Sequence, residues 1–208
     1  MILESNNENS AQTAAGILKN GGVICFATET VYALACDASN DLAVARLYKI
    51  KKRDLKKPIA VFVKNLQMAR EFLDFNAEEE VIAKKFMPGM VTLVLKKKLS
   101  QERGIFVSTL LNDNASDLGL RIPNHRFCLD LLNEFGGVIA ATSANLSKHK
   151  AATNYEQAAG YFKNKIDLII DGGVCAHKVA STVLRVDGGI KIIRAGLITK
   201  DQLEFLSV

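Results

Sequence analysis

The sequence predicts an α/β fold, a single domain in which a mixed β-sheet is flanked by helices, and three observations lead there. Short runs of β-branched and apolar residues alternate along the chain with longer segments whose apolar positions recur at helical spacing. The two closing runs, STVLRV and IKIIRA, meet at Asp187-Gly188-Gly189, a hairpin turn that brings antiparallel pairing into a sheet otherwise connected through helices. The 208 residues contain no repeat, no low-complexity linker and only 3 prolines, so nothing marks a domain boundary; 49% apolar content supplies a core.

Taken in order, residues 10–20 (SAQTAAGILKN) read as a helix with Ser10 as N-cap and Gly21 just past its end. GVICFA (22–27) has the character of a buried strand. NDLAVARLYKIKK is a helix capped by Asn40, with Leu42, Ala45, Leu47 and Ile50 among its apolar positions and lysines in the last turn, where the helix dipole favours them. A turn leads into the strand IAVFV (59–63). Helices follow over 65–74 and 77–86, the second with Asn76 as cap and glutamates in its first turn, and Pro88 and Gly89 end it. VTLVLKK, IFVST and LGLRI are strands. A helix from Asn124 to Phe135 passes through Gly136 and Gly137 into the strand VIAAT. A short helix over 154–163, the strand DLIID, the hairpin and a last helix from Asp201 complete the chain.

Composition removes several function classes. A formal charge of +5, from 27 basic and 22 acidic residues, is too mild to mark a nucleic-acid binder and is ordinary for an enzyme of anionic substrates. Cys25, Cys36, Cys128 and Cys175 lie far apart with no CxxC pair, which reads as buried thiols in a reducing compartment rather than a zinc site. The first residues, MILESNNENSAQ, carry acids and amides where a signal peptide is basic and then apolar, and no window approaches the ~20 apolar residues of a membrane span. The expectation is a cytoplasmic protein with no membrane partner. GxxxxGK[ST] and GxSxG are both absent, and His125, His149 and His177 have no evident triad partners.

Four segments can carry chemistry. KIKKRDLKKPIAVFV places Lys49, Lys51, Lys52, Arg53, Lys56 and Lys57 at the end of a helix and the turn after it, immediately before a buried strand. TETVYALACDA puts Thr28, Glu29 and Thr30 where a strand reaches its sheet edge, the usual position of a ligand crevice; an ordinary capped turn accounts for them equally well. Arg121 interrupts the apolar strand LGLRI, and a buried arginine needs an anion, either a protein carboxylate or a substrate carboxylate or phosphate. TSANLS follows another buried strand with Thr142, Ser143, Asn145 and Ser147, a cluster suited to an anion-binding turn. Cations and hydroxyls without a nucleophile suit an electrostatic transfer reaction on a phosphate.

With these segments in hand, TETVYALACDA, KIKKRDLKKPIAVFV, PGMVTLVL, LGLRIPNH, TSANLS, STVLRV and IIRAG together resemble, in order and rough spacing over about residues 10–200, the YrdC-like domain family. The resemblance implies a twisted sheet with a concave basic face over residues 8–200. It implies a C-terminal helix over 201–208 packed on the same domain, and no additional C-terminal domain. It also implies synthesis of L-threonylcarbamoyl-AMP from L-threonine, bicarbonate and ATP, with release of pyrophosphate. That product feeds threonylcarbamoyl modification of the tRNA adenosine beside the anticodon through downstream transferase proteins. The family's KxR and SxN elements match Lys51 and Arg53, and Ser143 and Asn145, which are implied to be catalytic. Arg53, Lys57, Ser143 and Arg194 are implied to bind nucleotide; Thr30, Arg121 and Ser181 are implied to bind threonine. Magnesium is implied to come with ATP, with no metal held by the protein alone. The sequence departs from the family at Ala33, Ala35 and Lys148, where glycine is usual, at Met90 and Ala195, where proline is frequent, and at Lys57, often asparagine. The rival readings are a carbamoyl-adenylating paralogue and an RNA-binding module; the basic face leaves weak tRNA binding open.

Overall fold

The structure is a computed structural model that describes residues 1–98, 105–113 and 115–206. Strand β1 (Ile2–Glu4) precedes helix α1 (Ser10–Lys19), strand β2 (Ile24–Phe26), strand β3 (Ala33–Asp37) and helix α2 (Asp41–Lys51). Next come β4 (Ala60–Phe62), α3 (Leu66–Phe72), the two-residue β5 (Leu73–Asp74), α4 (Ala77–Phe86) and β6 (Val91–Lys97). A 3-10 turn (Thr109–Asn112) leads to β7 (Asp117–Arg121), α5 (Arg126–Phe135), β8 (Ile139–Ser143) and α6 (Tyr155–Phe162). The strands β9 (Leu168–Asp171), β10 (Thr182–Val186) and β11 (Ile190–Arg194) and a 3-10 helix (Asp201–Leu206) finish the fold.

Among the described residues the strands form one open mixed sheet in the order β1-β9-β2-β3-β8-β4-β7-β6-β10-β11, with β5 added on β6. β4 runs parallel to β7 and β6 parallel to β10, while β8 is antiparallel to both of its neighbours, β3 and β4. The α/β class and the mixed sheet therefore hold, and so does the closing hairpin. Asn40 and Asn76 cap α2 and α4 as expected, the latter in a full capping box with Glu79.

Five expectations need correction. β3 was not foreseen, and neither were β1 and β5. Ser10 is the first helical residue rather than the cap, since Asn9 precedes the helix and the Ser10 hydroxyl donates to the Glu4 carbonyl at 2.6 Å. Residues 105–108 of the expected strand IFVST join no ladder; Ser108 instead donates its N–H to Ala38 and caps the following 3-10 turn. The inward face of α2 is Ala43, Val44, Leu47, Tyr48 and Lys51, whereas Leu42 is 83% exposed. The last segment is a 3-10 helix, through which Leu203 joins the core.

The two faces of the sheet are covered unequally, and that inequality makes the site. On one face α2, α3, α4 and α6 bring Leu47, Phe72, Ile82 and Phe162 onto Leu34, Val61, Leu93, Leu120 and Leu184. On the other, α1 and α5 pack Leu18, Leu131 and Phe135 against Ile24, Ala35, Ile139 and Ile170. No residue of β6, β7, β10 or β11 enters this second cluster among the described residues. Their outward side chains are left to line a cleft.

Candidate active site

The cleft has a volume of about 440 Å³ and a floor of small residues. Ala33 pairs across the ladder with Ser143, and Ala60 with Ala141. Gly119 completes the floor; a Cβ there would lie 3.2 Å from the Ala60 methyl and 3.3 Å from Thr92 Cγ2, so any side chain would fill space the cleft needs. A larger hollow of about 620 Å³ is lined by Lys64, Glu71, Phe106 and Gly137 among others. The smaller cleft is the better candidate because positive charge converges on it.

Four arginines line the cleft; Arg185 is paired with Asp117, and the other three are each tied along one edge of the guanidinium. Arg53 donates from Nε to the Lys57 carbonyl at 3.0 Å and from Nη2 to the Pro58 carbonyl at 2.8 Å. Arg194 donates from Nε and Nη2 to the Ser181 carbonyl at 3.2 and 2.8 Å, and from Nη2 to Ser181 Oγ at 3.0 Å. Arg121, 5% exposed, donates from Nε to the Gly89 carbonyl at 3.1 Å and from Nη2 to Glu29 Oε1 at 2.8 Å and Thr30 Oγ1 at 2.9 Å. Its guanidinium carbon also lies 5.5 Å from the centre of the Phe62 ring. In all three, Nη1 has no hydrogen-bond partner among the described residues. Backbone carbonyls fix the planes without cancelling the charge. Arg53 and Arg194 form no ion pair among the described residues. Burial holds both below the ordinary arginine range, and for Arg194 the neighbouring Arg121 and Arg53 add to that. An anion would relieve the repulsion.

Local backbone geometry delivers these groups. Lys52 ends α2 in the left-handed region (φ 52°), and the Arg53 N–H returns to the Tyr48 carbonyl at 3.0 Å, which turns Arg53 toward the cleft. β10 and β11 pair with a register shift between Val183 and Leu184, an irregularity that brings the neighbours Ile193 and Arg194 together in the cleft lining. Gly196 follows so closely that a Cβ would fall 2.4 Å from the Ala180 carbonyl and the Thr182 nitrogen, so the chain can pass there only without a side chain.

Lys51 has a different position from the one expected of a phosphate ligand. It is 1% exposed, points into the core side of α2 and is absent from the cleft lining. Its ammonium meets the Ser143 carbonyl, the Asn145 carbonyl at 3.1 Å, Asn145 Oδ1 at 2.9 Å and, more distantly, Ser143 Oγ at 3.5 Å. Ser143 Oγ donates in turn to Asn145 Oδ1 at 2.7 Å, and Asn145 Nδ2 donates to the carbonyls of Leu146 and His149. The KxR and SxN elements are thus one structure: Arg53 lines the cleft while Lys51 locks the loop that carries Ser143. Burial, with Arg53 nearby, pulls the Lys51 amine down to about 7, and the four oxygens favour its charged form.

The remaining expected residues divide. Ser181 lines the cleft and shares a 2.8 Å hydrogen bond with Thr92 Oγ1. Thr30 is fully buried behind it, its hydroxyl committed to Arg121 and to Thr28 at 2.8 Å; Thr28 is the one in the lining. Lys57 is exposed and outside the lining, and contributes its carbonyl to Arg53 and to the Tyr48 hydroxyl. Lys49 and Lys52 are exposed. Sequence reasoning missed Thr92, Asp117 and Arg185 as lining residues, the last two joined in an ion pair of 2.7 Å. Thr92 had a signal, a hydroxyl inside the apolar run VTLVL.

All four cysteines are buried and free, and burial pushes every thiol up, Cys175 to about 11, so they serve packing rather than attack. No cluster of His, Cys, Asp or Glu that could hold a metal occurs among the described residues, and no helix there is long and apolar enough to cross a membrane.

A family model for Sua5, YciO and YrdC proteins, described as telomere recombination, matches residues 16–196. A Bacillus subtilis protein named threonylcarbamoyl-AMP synthase is 34% identical over 96% of this chain and 57% of its own length. A mouse protein of the same name is 35% identical over 89% of this chain and 66% of its own. The chain therefore spans between about half and two thirds of these relatives. The crystal structure of Pyrococcus abyssi Sua5 complexed with L-threonine is 30% identical and superposes with a TM-score of 0.91, over 99% of this chain and 60% of that one.

Proposed function

The chain belongs to the family of Sua5, YciO and YrdC proteins, and from that premise we propose that it makes L-threonylcarbamoyl-AMP from L-threonine, bicarbonate and ATP, releasing pyrophosphate. The observation that carries the proposal is the trio Arg53, Arg121 and Arg194, tied by their Nε edges around one cleft. Threonine's amine, after losing one proton to solvent, forms a C–N bond with carbon dioxide drawn from bicarbonate and becomes an N-carboxylate; the second proton it sheds combines with the hydroxide that bicarbonate gives up, as water. A carboxylate oxygen attacks the α-phosphorus of ATP, the bond from that phosphorus to the bridging oxygen breaks, and pyrophosphate leaves. Nucleophile and target are both anionic. Like charges ~4 Å apart repel by about 4 kcal/mol at an effective dielectric of about 20, so fixed cations that need no reorganisation are what this transfer requires.

In this reading Arg53 and Arg194 meet the phosphates, and Arg121 Nη1 meets the threonine carboxylate beside Ser181 and Thr28. Ser143, which lines the cleft, fixes the nucleotide and the N-carboxylate, and Asn145 acts through it, the pair held in place by Lys51. Thr30 acts from behind, through Arg121, and Lys57 draws nucleotide in from outside the lining. Magnesium arrives with the phosphates of ATP. Asp117, the one carboxylate of the lining, is engaged by Arg185, so the side chains offer no ligand cage of their own. The activity is a nucleotidyltransferase of residues 8–200, whose product passes to a tRNA threonylcarbamoyl transferase. Four free thiols fit a cytoplasmic setting.

Pyrophosphate release by the purified protein tests the reaction. It should require ATP, threonine and bicarbonate together; ADP and phosphate as products, or turnover indifferent to threonine, would sink it.

A further inference from the structure

Glu29 sits in the turn between β2 and β3 with 8% of its surface exposed. Its Oε1 accepts from Arg121 Nη2 at 2.8 Å and from the Asn124 backbone N–H at 3.1 Å. Its own carbonyl accepts from the His177 N–H at 3.0 Å. One residue therefore joins the 28–32 turn, the exit of β7 and the loop that leads to Ser181, the three segments around the Arg121 end of the cleft. Its second oxygen, Oε2, is buried with no hydrogen-bond partner among the described residues, as is Nδ1 of the adjacent His125.

That asymmetry is informative. A carboxylate present only to stabilise the fold would use both oxygens, because a buried acceptor left empty is costly. Here a single oxygen holds one nitrogen of the guanidinium and the Asn124 N–H, in concert with Gly89, Thr30 and the Phe62 ring, and Nη1 of Arg121, a residue of the cleft lining, is left without a hydrogen-bond partner among the described residues. We propose that Glu29 is a positioning residue for the amino-acid substrate: it sets the plane and reach of Arg121, and so where the substrate carboxylate docks and where the amine is presented for carboxylation. This rests on the threonine reading of the site.

Reach and charge can be separated. Glu29→Asp keeps the charge and withdraws the oxygens by about 1.5 Å, one C–C bond. Glu29→Gln keeps the reach, with an amide oxygen for Arg121 and Asn124, and removes the charge. Calorimetric titration of L-threonine and of ATP, each alone, on wild type and both variants, with a thermal melt of each preparation, tests the proposal. Glu29→Asp should weaken threonine binding by about tenfold or more, the scale of an ångström-sized misplacement, with ATP binding within about twofold of wild type. Glu29→Gln should stay within about threefold for threonine. The proposal is overturned if Glu29→Asp is harmless, if Glu29→Gln is the more damaging, if both ligands weaken together, or if Glu29→Asp fails to fold, since a structural role would then suffice. Wild-type protein that ignores threonine overturns the threonine reading itself, a result distinct from all of these.

Discussion

An amine whose donors are all taken by oxygens inside the protein has no hydrogen bond left to offer a ligand, and this separates Lys51 from Arg53, two residues away. Arg53→Ala removes a fixed donor from the cleft and should lower turnover about 100-fold or more, the usual loss for one preorganised transition-state donor. Lys49→Ala should leave turnover within about twofold, since that lysine is solvated and exposed surface charge contributes little. Steady-state pyrophosphate assays on the two variants check this, and equal losses would mean that the basic run acts as a diffuse patch. Lys51 gives a different signature. Its folded value, about 7, lies below the ordinary 10.5, so between those pH values the unfolded chain holds a proton that the folded chain has released. Stability must then rise with pH across that window, and the contribution is complete above it. The melting temperature of wild type should climb relative to Lys51→Met between pH 7 and pH 10; parallel curves would show that the lysine keeps its proton in the fold.

At the scale of elements, the loop after β8 holds a strained link. Lys148 occupies φ 72°, a left-handed conformation in which a lysine is disfavoured by about 1 kcal/mol and glycine is not. It is one of the positions where the YrdC-like pattern has glycine. Lys148→Gly should therefore raise the melting temperature by about 1–3 °C, a net gain reduced by glycine's greater freedom in the unfolded chain. A melt that falls would show that the lysine side chain makes a contribution larger than its strain. The same scale explains what the sequence disclosed. α4 was legible because Asn76, Glu79 and an apolar spacing all agree, and β6 because VTLVL is long enough to show its character. β3 escaped because ALAC has small residues where strands usually show β-branched ones, and β1 and β5 because three and two residues have no period to read. The face of α2 was misjudged for a physical reason. Lys51 was expected in the site, yet the SxN loop supplies the oxygens that let it lie inward, and Leu42, on the opposite side of the helix, is turned out to solvent. In the site, Arg121 was identifiable as a buried cation, but whether Thr28 or Thr30 faces the cleft depends on the turn that they form together.

At the scale of the molecule, the formal charge of +5 is unremarkable, but its distribution is not, because Arg53, Arg121 and Arg194 share one cleft and, of these three, only Arg121 has an acidic partner among the described residues. Such a cleft should be stabilised by the anion it is shaped for. ATP alone, at about 100 times its dissociation constant, should stabilise the fold by about 2.7 kcal/mol, which for a chain of this size is a rise in melting temperature of about 5–10 °C. Arg194→Ala should remove most of that rise while Lys150→Ala, an exposed lysine on the SxN loop, should preserve it. An RNA-binding module on the same basic face predicts the opposite ordering. RNA without ATP would then give the larger rise, it would collapse between 50 and 200 mM salt as counterion release demands, and loss of Lys150 would matter as much as loss of Arg194. A protein whose melt responds to ATP in the absence of RNA, through Arg194 and not through Lys150, uses this cleft for a nucleotide.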